Sequence, residues 1–184
     1  IVRDPRDVTR SYVQMGWSGH VWVAADAWLE LEEQWDNFIS TLNEDRYVTI
    51  LYEDLVRSPK ETLSKICDFM GIFYTDDMLE YDKSSTFSKP DPSLLNQWQH
   101  KATQYEVSLV EYKLQPMMLK YGYKLSGYKK PSINFVTILL LKMIARKNRL
   151  VYSINKYVYV LKILDAISRR LIVNRSFRKS VRNK

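Results

Sequence analysis

The sequence predicts an α/β fold with a parallel sheet, followed by a basic helical extension. Three observations lead there. Two short apolar runs, "IVRDP" and "RYVTILYEDL", each pass from β-branched or aromatic residues through a polar turn into a helical pattern. The intervening segments carry apolar residues at helical spacing. The charge then reverses near residue 128. Residues 1–128 hold 13 Lys and Arg against 20 Asp and Glu, a net −7; residues 129–184 hold 15 against the single acid Asp165, a net +14. Strand–helix–strand–helix order with mostly apolar strands is that of a sheet covered by helices.

"IVRDP" reads as the end of a strand, with a helix beginning from about Asp7, whose carboxylate suits a helix N-terminus. "GWSG" interrupts that helix. A long amphipathic helix follows, with Trp28, Trp35, Phe38, Ile39 and Leu42 on one stripe that reads as core packing. After the second strand, "RSPKETLSKICDFMGI" specifies a helix. Ser58 suits its cap, Pro59 its first position and Glu61 the closing half of a capping box; Gly71 suits its end. Leu63, Ile66, Cys67 and Met70 share its buried stripe, so Cys67 reads as inert. "ATQYEVSLVEYKLQPMMLKYGY" resumes helical spacing through Val107, Val110, Leu114, Met117 and Tyr121, with Pro116 expected to kink or divide it.

Composition excludes several classes. With 46% hydrophobic and 27% charged residues the chain is globular. One cysteine rules out an internal disulfide framework, and with only His20 and His100 a multi-ligand zinc cluster is not expected. The five glycines form no phosphate-cradling loop. The chain opens on Ile1, at a strand, so the complete protein is expected to start further upstream.

Ligands of open α/β sheets bind at the carboxyl ends of strands, where Arg3 and the "YEDL" turn fall. Arg3 offers a planar fork of donors suited to a phosphate, and Ser11 presents a hydroxyl about two turns along the following helix. Surface pairing among Arg3, Asp4, Arg6 and Asp7 explains the same charges, and both readings stay open on the residues alone. His20, beside aromatic residues, reads as structural. The pair Glu53–Asp54 at a strand-to-helix turn reads as accepting backbone N–H groups.

Three segments in this order resemble the sulfotransferases that use 3′-phosphoadenosine 5′-phosphosulfate (PAPS), in particular the tyrosylprotein-type and related bacterial members. "VRDPRDVTRSY" resembles their 3′-phosphate motif; "ILYEDLVRSPKETLSKICDFMGI" resembles the strand–turn–helix that follows; "YDKSSTFSKPDPSLLNQWQHKATQYEVSLVEYKLQPMMLKYGY" resembles their closing segment. The resemblance covers about residues 1–124. It implies a truncated P-loop-NTPase-like three-layer fold, with residues 1–128 as the C-terminal part of the sulfotransferase domain. It further implies that Arg3 and Ser11 hold the 3′-phosphate and that Tyr52 lies near the adenosine. Ser85, Thr86 and Lys89 would line a strap over the co-substrate, anchored by Trp98. Gln97 departs from the lysine usual before that tryptophan, and Met15 from a further arginine. By the same resemblance the sulfuryl cradle and catalytic base lie upstream of Ile1, so the 184 residues alone are expected to lack turnover. No metal is implied. The acceptor is left open among carbohydrate, lipid, protein tyrosine and small alcohol. A non-catalytic nucleotide- or anion-binding module and a nucleoside-kinase-like enzyme are the alternatives.

Residues 129–184 lie outside the resemblance. The uncharged run from Pro131 to Leu141 is too short to span a bilayer, for which about 20 residues are needed. Beyond it Val151, Ile154, Tyr157, Val158, Leu161, Leu164, Ile167 and Leu171 fall near one helical face, with Lys156, Lys162, Arg169 and Arg170 mostly elsewhere. A basic amphipathic helix suits an anionic membrane surface. A helical hairpin packed on the acidic part, or a subunit contact, is the competing reading; nucleic acid is disfavoured. The expected location is cytoplasmic and peripheral to a membrane; a Golgi-lumen location stays open, since any targeting segment would precede Ile1.

Overall fold

The computed structural model describes residues 1–83, 86 and 88–182, and its side-chain detail in the last helix covers residues up to 159 together with 161 and 167. The elements are α1 (Pro5–Gln14), α2 (Val21–Ile39), α3 (Tyr52–Arg57), α4 (Pro59–Met70), α5 (Trp98–Lys101), α6 (Gln104–Lys120) and α7 (Phe135–Arg182), with short 3-10 turns between.

The expected parallel sheet is absent among the described residues. Among the described residues the two apolar runs meet in a single parallel bridge, Val2 to Leu51. Val2 N–H donates to the Ile50 carbonyl at 2.9 Å and Tyr52 N–H to the Val2 carbonyl at 2.7 Å. Helix formation on both sides stops the ladder. Asp4 caps α1, its carboxylate accepting from Arg6 N–H, and Pro5 occupies the first helical position with no N–H to offer a strand. On the other run α3 begins at Tyr52, so "YEDL" is the first part of a six-residue helix rather than a strand end.

The core forms where α1, α2 and α6 meet. Val2, Val21, Ala25, Trp28, Val110, Leu114 and Met118 are buried together, with Val8, Tyr121 and Tyr123 against them. Apolar area removed from water contributes roughly 25 cal/mol per Å², and these side chains supply most of what holds the N-terminal segment down. Only the first half of α2 takes part: Trp28 is buried, whereas Phe38 on the same stripe is exposed. Lys113 of α6 ties the two helices, donating to the Trp22 carbonyl at 2.8 Å and to Asp26 at 2.6 Å. Helix α6 continues through Pro116 as one element, undivided.

The caps differ from expectation in one place. Pro59 and Gly71 bound α4 as expected, Gly71 at φ 70°, a left-handed conformation that a side chain resists. Ser58, however, makes no side-chain cap. The capping box is formed instead by Thr103 and Glu106 at the start of α6. Cys67 is buried, its thiol 3.7 Å from the Met78 sulfur.

Residues 135–182 form one continuous helix, not a hairpin, and no Gly or Pro interrupts them. Its early turns pack on the α2–α6 face, where Leu141 joins Trp22 and Leu109 in a second core cluster flanked by Ile133 and Ile138. The side chains of Leu164, Leu171, Lys162, Arg169 and Arg170 lie outside the described residues.

Candidate functional site

The N-terminal motif contains two arginines with opposite uses. Arg6 is buried, with 5% of its side chain exposed. Its Nε and Nη2 donate to both oxygens of Asp4, at 2.9 Å and 2.6 Å, and its Nη1 donates to Glu111 at 2.7 Å and to the Lys124 carbonyl at 3.0 Å. Its guanidinium lies 3.8 Å from the centre of the Trp98 ring. Burial opposes its charge, but the bonds to Asp4 and Glu111 outweigh burial and raise its pKa. Arg6 therefore fastens α1 to α6 and to the segment that starts α5. Sequence reading missed this hub, because Glu111 is 105 residues away and the local Arg–Asp alternation resembles a solvated charge run.

Arg3 is the available one. Its side chain is 28% exposed and its Nη2 donates to the Leu94 carbonyl at 2.8 Å. The guanidinium sits 4.7 Å from the centre of the Tyr52 ring, which fixes its plane. Asp7 Oδ2 stands 4.0 Å from Nη2, one turn into α1. Arg3 Nε and Asp7 Oδ2 are buried and have no hydrogen-bond partner among the described residues. Asp7 Oδ1 is engaged, accepting the Trp98 N–H at 2.8 Å. Burial raises the Asp7 pKa, with the Trp98 N–H and Arg3 working against that and Asp4 with it.

Ser11 follows Asp7 by four residues and so shares its face of α1. Among the described residues its hydroxyl donates only to the Met15 thioether, a long contact of 4.0 Å. Arg3, Asp7 and Ser11 thus form a row with a cation at one end, a hydroxyl at the other and a buried carboxyl beneath.

The remaining expected site residues divide. Tyr52 lies under Arg3 as described. Thr86 is exposed, and Ser85 lies outside the described residues. Lys89 pairs with Asp82 at 3.6 Å. It does not join the Arg3 group but borders a cleft of about 380 Å³, lined also by Leu55, Pro59, Met78 and Tyr81. Trp98 anchors its segment through its N–H to Asp7 and its ring on Arg6. His20 is committed to structure, its Nδ1 accepting the Trp22 N–H at 3.1 Å as the cap of α2. Glu53 is committed too, accepting the Asp4 N–H at 2.9 Å and the Tyr123 hydroxyl at 2.9 Å. Among the described residues no group of His, Cys, Asp and Glu is placed to hold a metal.

Residues 1–76, which include this whole row and Tyr52, match the model of the sulfotransferase family. That segment is similar to sulfotransferases. The match is to the family at large and does not single out its tyrosylprotein type. The sulfotransferase domain of the Synechococcus PCC 7002 olefin synthase superposes with a TM-score of 0.55 at 23% identity, over 67% of this chain and 48% of its own. The sulfotransferase domain of the curacin biosynthetic pathway does so with a TM-score of 0.54 at 25% identity, over 67% and 52%. The chain thus spans about half the length of the sulfotransferase domains it resembles. None of the curated proteins matches it.

Proposed function

We propose that this chain forms the 3′-phosphate-binding part of a sulfotransferase that uses PAPS. The observation that carries the proposal is the Arg3–Asp7–Ser11 row on Tyr52, inside the segment that matches the sulfotransferase family. The donor set fits a terminal phosphate. Arg3 has a half-buried guanidinium with one amino group bonded to Leu94 and a buried Nε without a partner among the described residues. Ser11 adds a hydroxyl held only by a long contact to the Met15 thioether, a weak acceptor. Charged donors on a fixed plane recognise phosphate oxygens better than a mobile ammonium does. Tyr52 offers an aromatic face beside the same arginine, suited to the adenosine.

When bound, PAPS supplies an activated sulfuryl group for an acceptor hydroxyl or amine. The residues of this chain bind and orient. Arg3 and Ser11 take the phosphate that distinguishes PAPS from ordinary adenine nucleotides, Asp7 and Tyr52 hold the plane of Arg3, and Arg6 keeps α1 against α6. We further propose that the 184 residues alone bind without turnover. His20 and Glu53 are each committed to backbone N–H groups and do not serve as the base that removes an acceptor's proton.

Titration calorimetry with adenosine 3′,5′-bisphosphate, AMP and ATP tests the binding reading. Preference for the 3′,5′-bisphosphate supports it; equal affinity for AMP, or preference for ATP, overturns it in favour of a general anion-binding module or a kinase-like enzyme. Sulfate transfer by the 184 residues would overturn the second proposal and leave the first intact.

A further inference from the structure

We propose that α7 lies in the surface of an anionic membrane and carries the rest of the molecule on its opposite face. The inference does not depend on the nucleotide-binding reading. The chain itself uses α7 along one stripe only. Leu141 and Ala145 are each 5% exposed, and Asn148 donates to the Gly19 carbonyl at 2.9 Å. Tyr152 presses so closely on Gly16 that a Cβ there would stand 2.1 Å from its ring. These residues follow one another at i, i+4, i+7 and i+11, a single line down the helix.

The opposite face is bare and apolar. Leu139, Met143, Leu150, Ile154, Tyr157 and Leu161 are 49%, 56%, 62%, 51%, 73% and 63% exposed. At 3.6 residues per turn they fall within about 60° of arc, and the segment from Phe135 to Leu161 is about 40 Å long. A soluble surface seldom leaves so long an apolar stripe uncovered.

Cations occupy one border between the two faces. Lys142, Arg146 and Arg149 line a groove of about 370 Å³ with Trp17 and Asp26. None of the three side chains has a hydrogen-bond or ion-pair partner among the described residues, and Asp26 already binds Lys113. Trp17, 63% exposed, adds an amphipathic aromatic ring beside them. An apolar stripe bordered by cations and an interfacial tryptophan fits a helix lying in the plane of a bilayer. No described helix is long and apolar enough to cross a membrane. A second copy is the competing cover, and charge argues against it. With 15 cations and one acid in residues 129–184, two such helices side by side set like charges against each other, whereas anionic headgroups neutralise them.

The full 184-residue chain is to be sedimented with phosphatidylcholine vesicles, with and without phosphatidylserine. Two variants accompany it, Met143→Glu/Leu150→Glu and Lys142→Gln/Arg146→Gln/Arg149→Gln, each checked for helix content by circular dichroism. The unaltered chain should bind the phosphatidylserine vesicles and the apolar-face variant should not. At about fivefold per cation, the triple variant should bind roughly a hundredfold more weakly. Failure of the unaltered chain to bind, or equal binding to both vesicles unaffected by the triple change, overturns the proposal. So does a solution dimer that Met143→Glu/Leu150→Glu converts to monomer without any vesicle binding, since the face then belongs to a second copy.

Discussion

Arginine does two different jobs in the two halves of this molecule. In the N-terminal half Arg6 is buried, with carboxylates on two sides, a carbonyl and an aromatic ring around it. In α7 Arg146 and Arg149 border an apolar face and form no ion pair among the described residues. A buried charge must be matched from within the chain, because water cannot reach it. A charge at an exposed border is free for something outside. Arg3, half-buried and incompletely satisfied, stands between these cases, which is what a ligand-binding arginine requires.

Removing Arg6 should break the comparison most severely. Arg6→Ala leaves Asp4 and Glu111 buried without their cation, a loss of about 3–5 kcal/mol. Urea unfolding should show a soluble chain that has lost most of its cooperative transition. A midpoint within experimental error of the unaltered chain would mean that Arg6 is no more structural than a surface residue. Arg3→Ala is the counterpart. It should leave the unfolding midpoint nearly unchanged and weaken adenosine 3′,5′-bisphosphate roughly tenfold to hundredfold, the range for a charge-assisted hydrogen bond. Equal affinity in the variant would remove Arg3 from the site.

The seam between the halves offers a smaller effect. A Cβ at Gly19 would stand 1.8 Å from the Ala145 carbonyl oxygen, a backbone atom with no rotamer to escape into. Gly19→Ala should therefore displace α7 at a cost of about 1–3 kcal/mol, the range for overpacking. Amide exchange should quicken around Leu141 and Ala145 and stay slow in α1. Unaltered protection across α7 would show that the seam lies elsewhere.

These contrasts explain what the sequence disclosed. Helices α4 and α6 were legible because their apolar stripes, and the Pro59 and Gly71 boundaries of α4, are local signals. The row of Arg3 and Ser11 was legible only through resemblance to a family, since an arginine followed by a serine is common. The sheet was misread because β-branched runs state a preference for extension, not the presence of partners. Val2 and Leu51 pair, and then the Asp4 cap and the short helix at Tyr52 end both runs. The Arg6 hub was invisible for a different reason, as its decisive partners lie more than ninety positions away in Trp98 and Glu111. Ser58 and Thr103 carry the same capping signal, Ser58 with Glu61 and Thr103 with Glu106, yet only Thr103 forms the box. The Ser58 backbone turns at φ −134° and ψ 64°, whereas Thr103 has the extended geometry usual at a cap.

The smallest expected effect concerns His20, and it sharpens the line between structural and chemical groups. Its Nδ1 must be unprotonated to accept the Trp22 N–H at the start of α2. Burial lowers its pKa from the ordinary 6.5, with Glu106 opposing and Lys113 assisting. The unfolded chain therefore takes up a proton on His20 before the folded one does. Where the unfolded state binds more protons, stability rises with pH. The contribution of His20 is then fully present above pH 6.5 and is lost as pH falls from there through the folded pKa. His20→Asn keeps an acceptor suited to a helix cap and removes the titration. Urea midpoints for the two chains should agree near pH 8 and diverge below 6.5, with the asparagine variant the more stable by up to about 1 kcal/mol, the usual size of a cap. Parallel curves at every pH would show that the imidazole does not hold α2 through its unprotonated nitrogen.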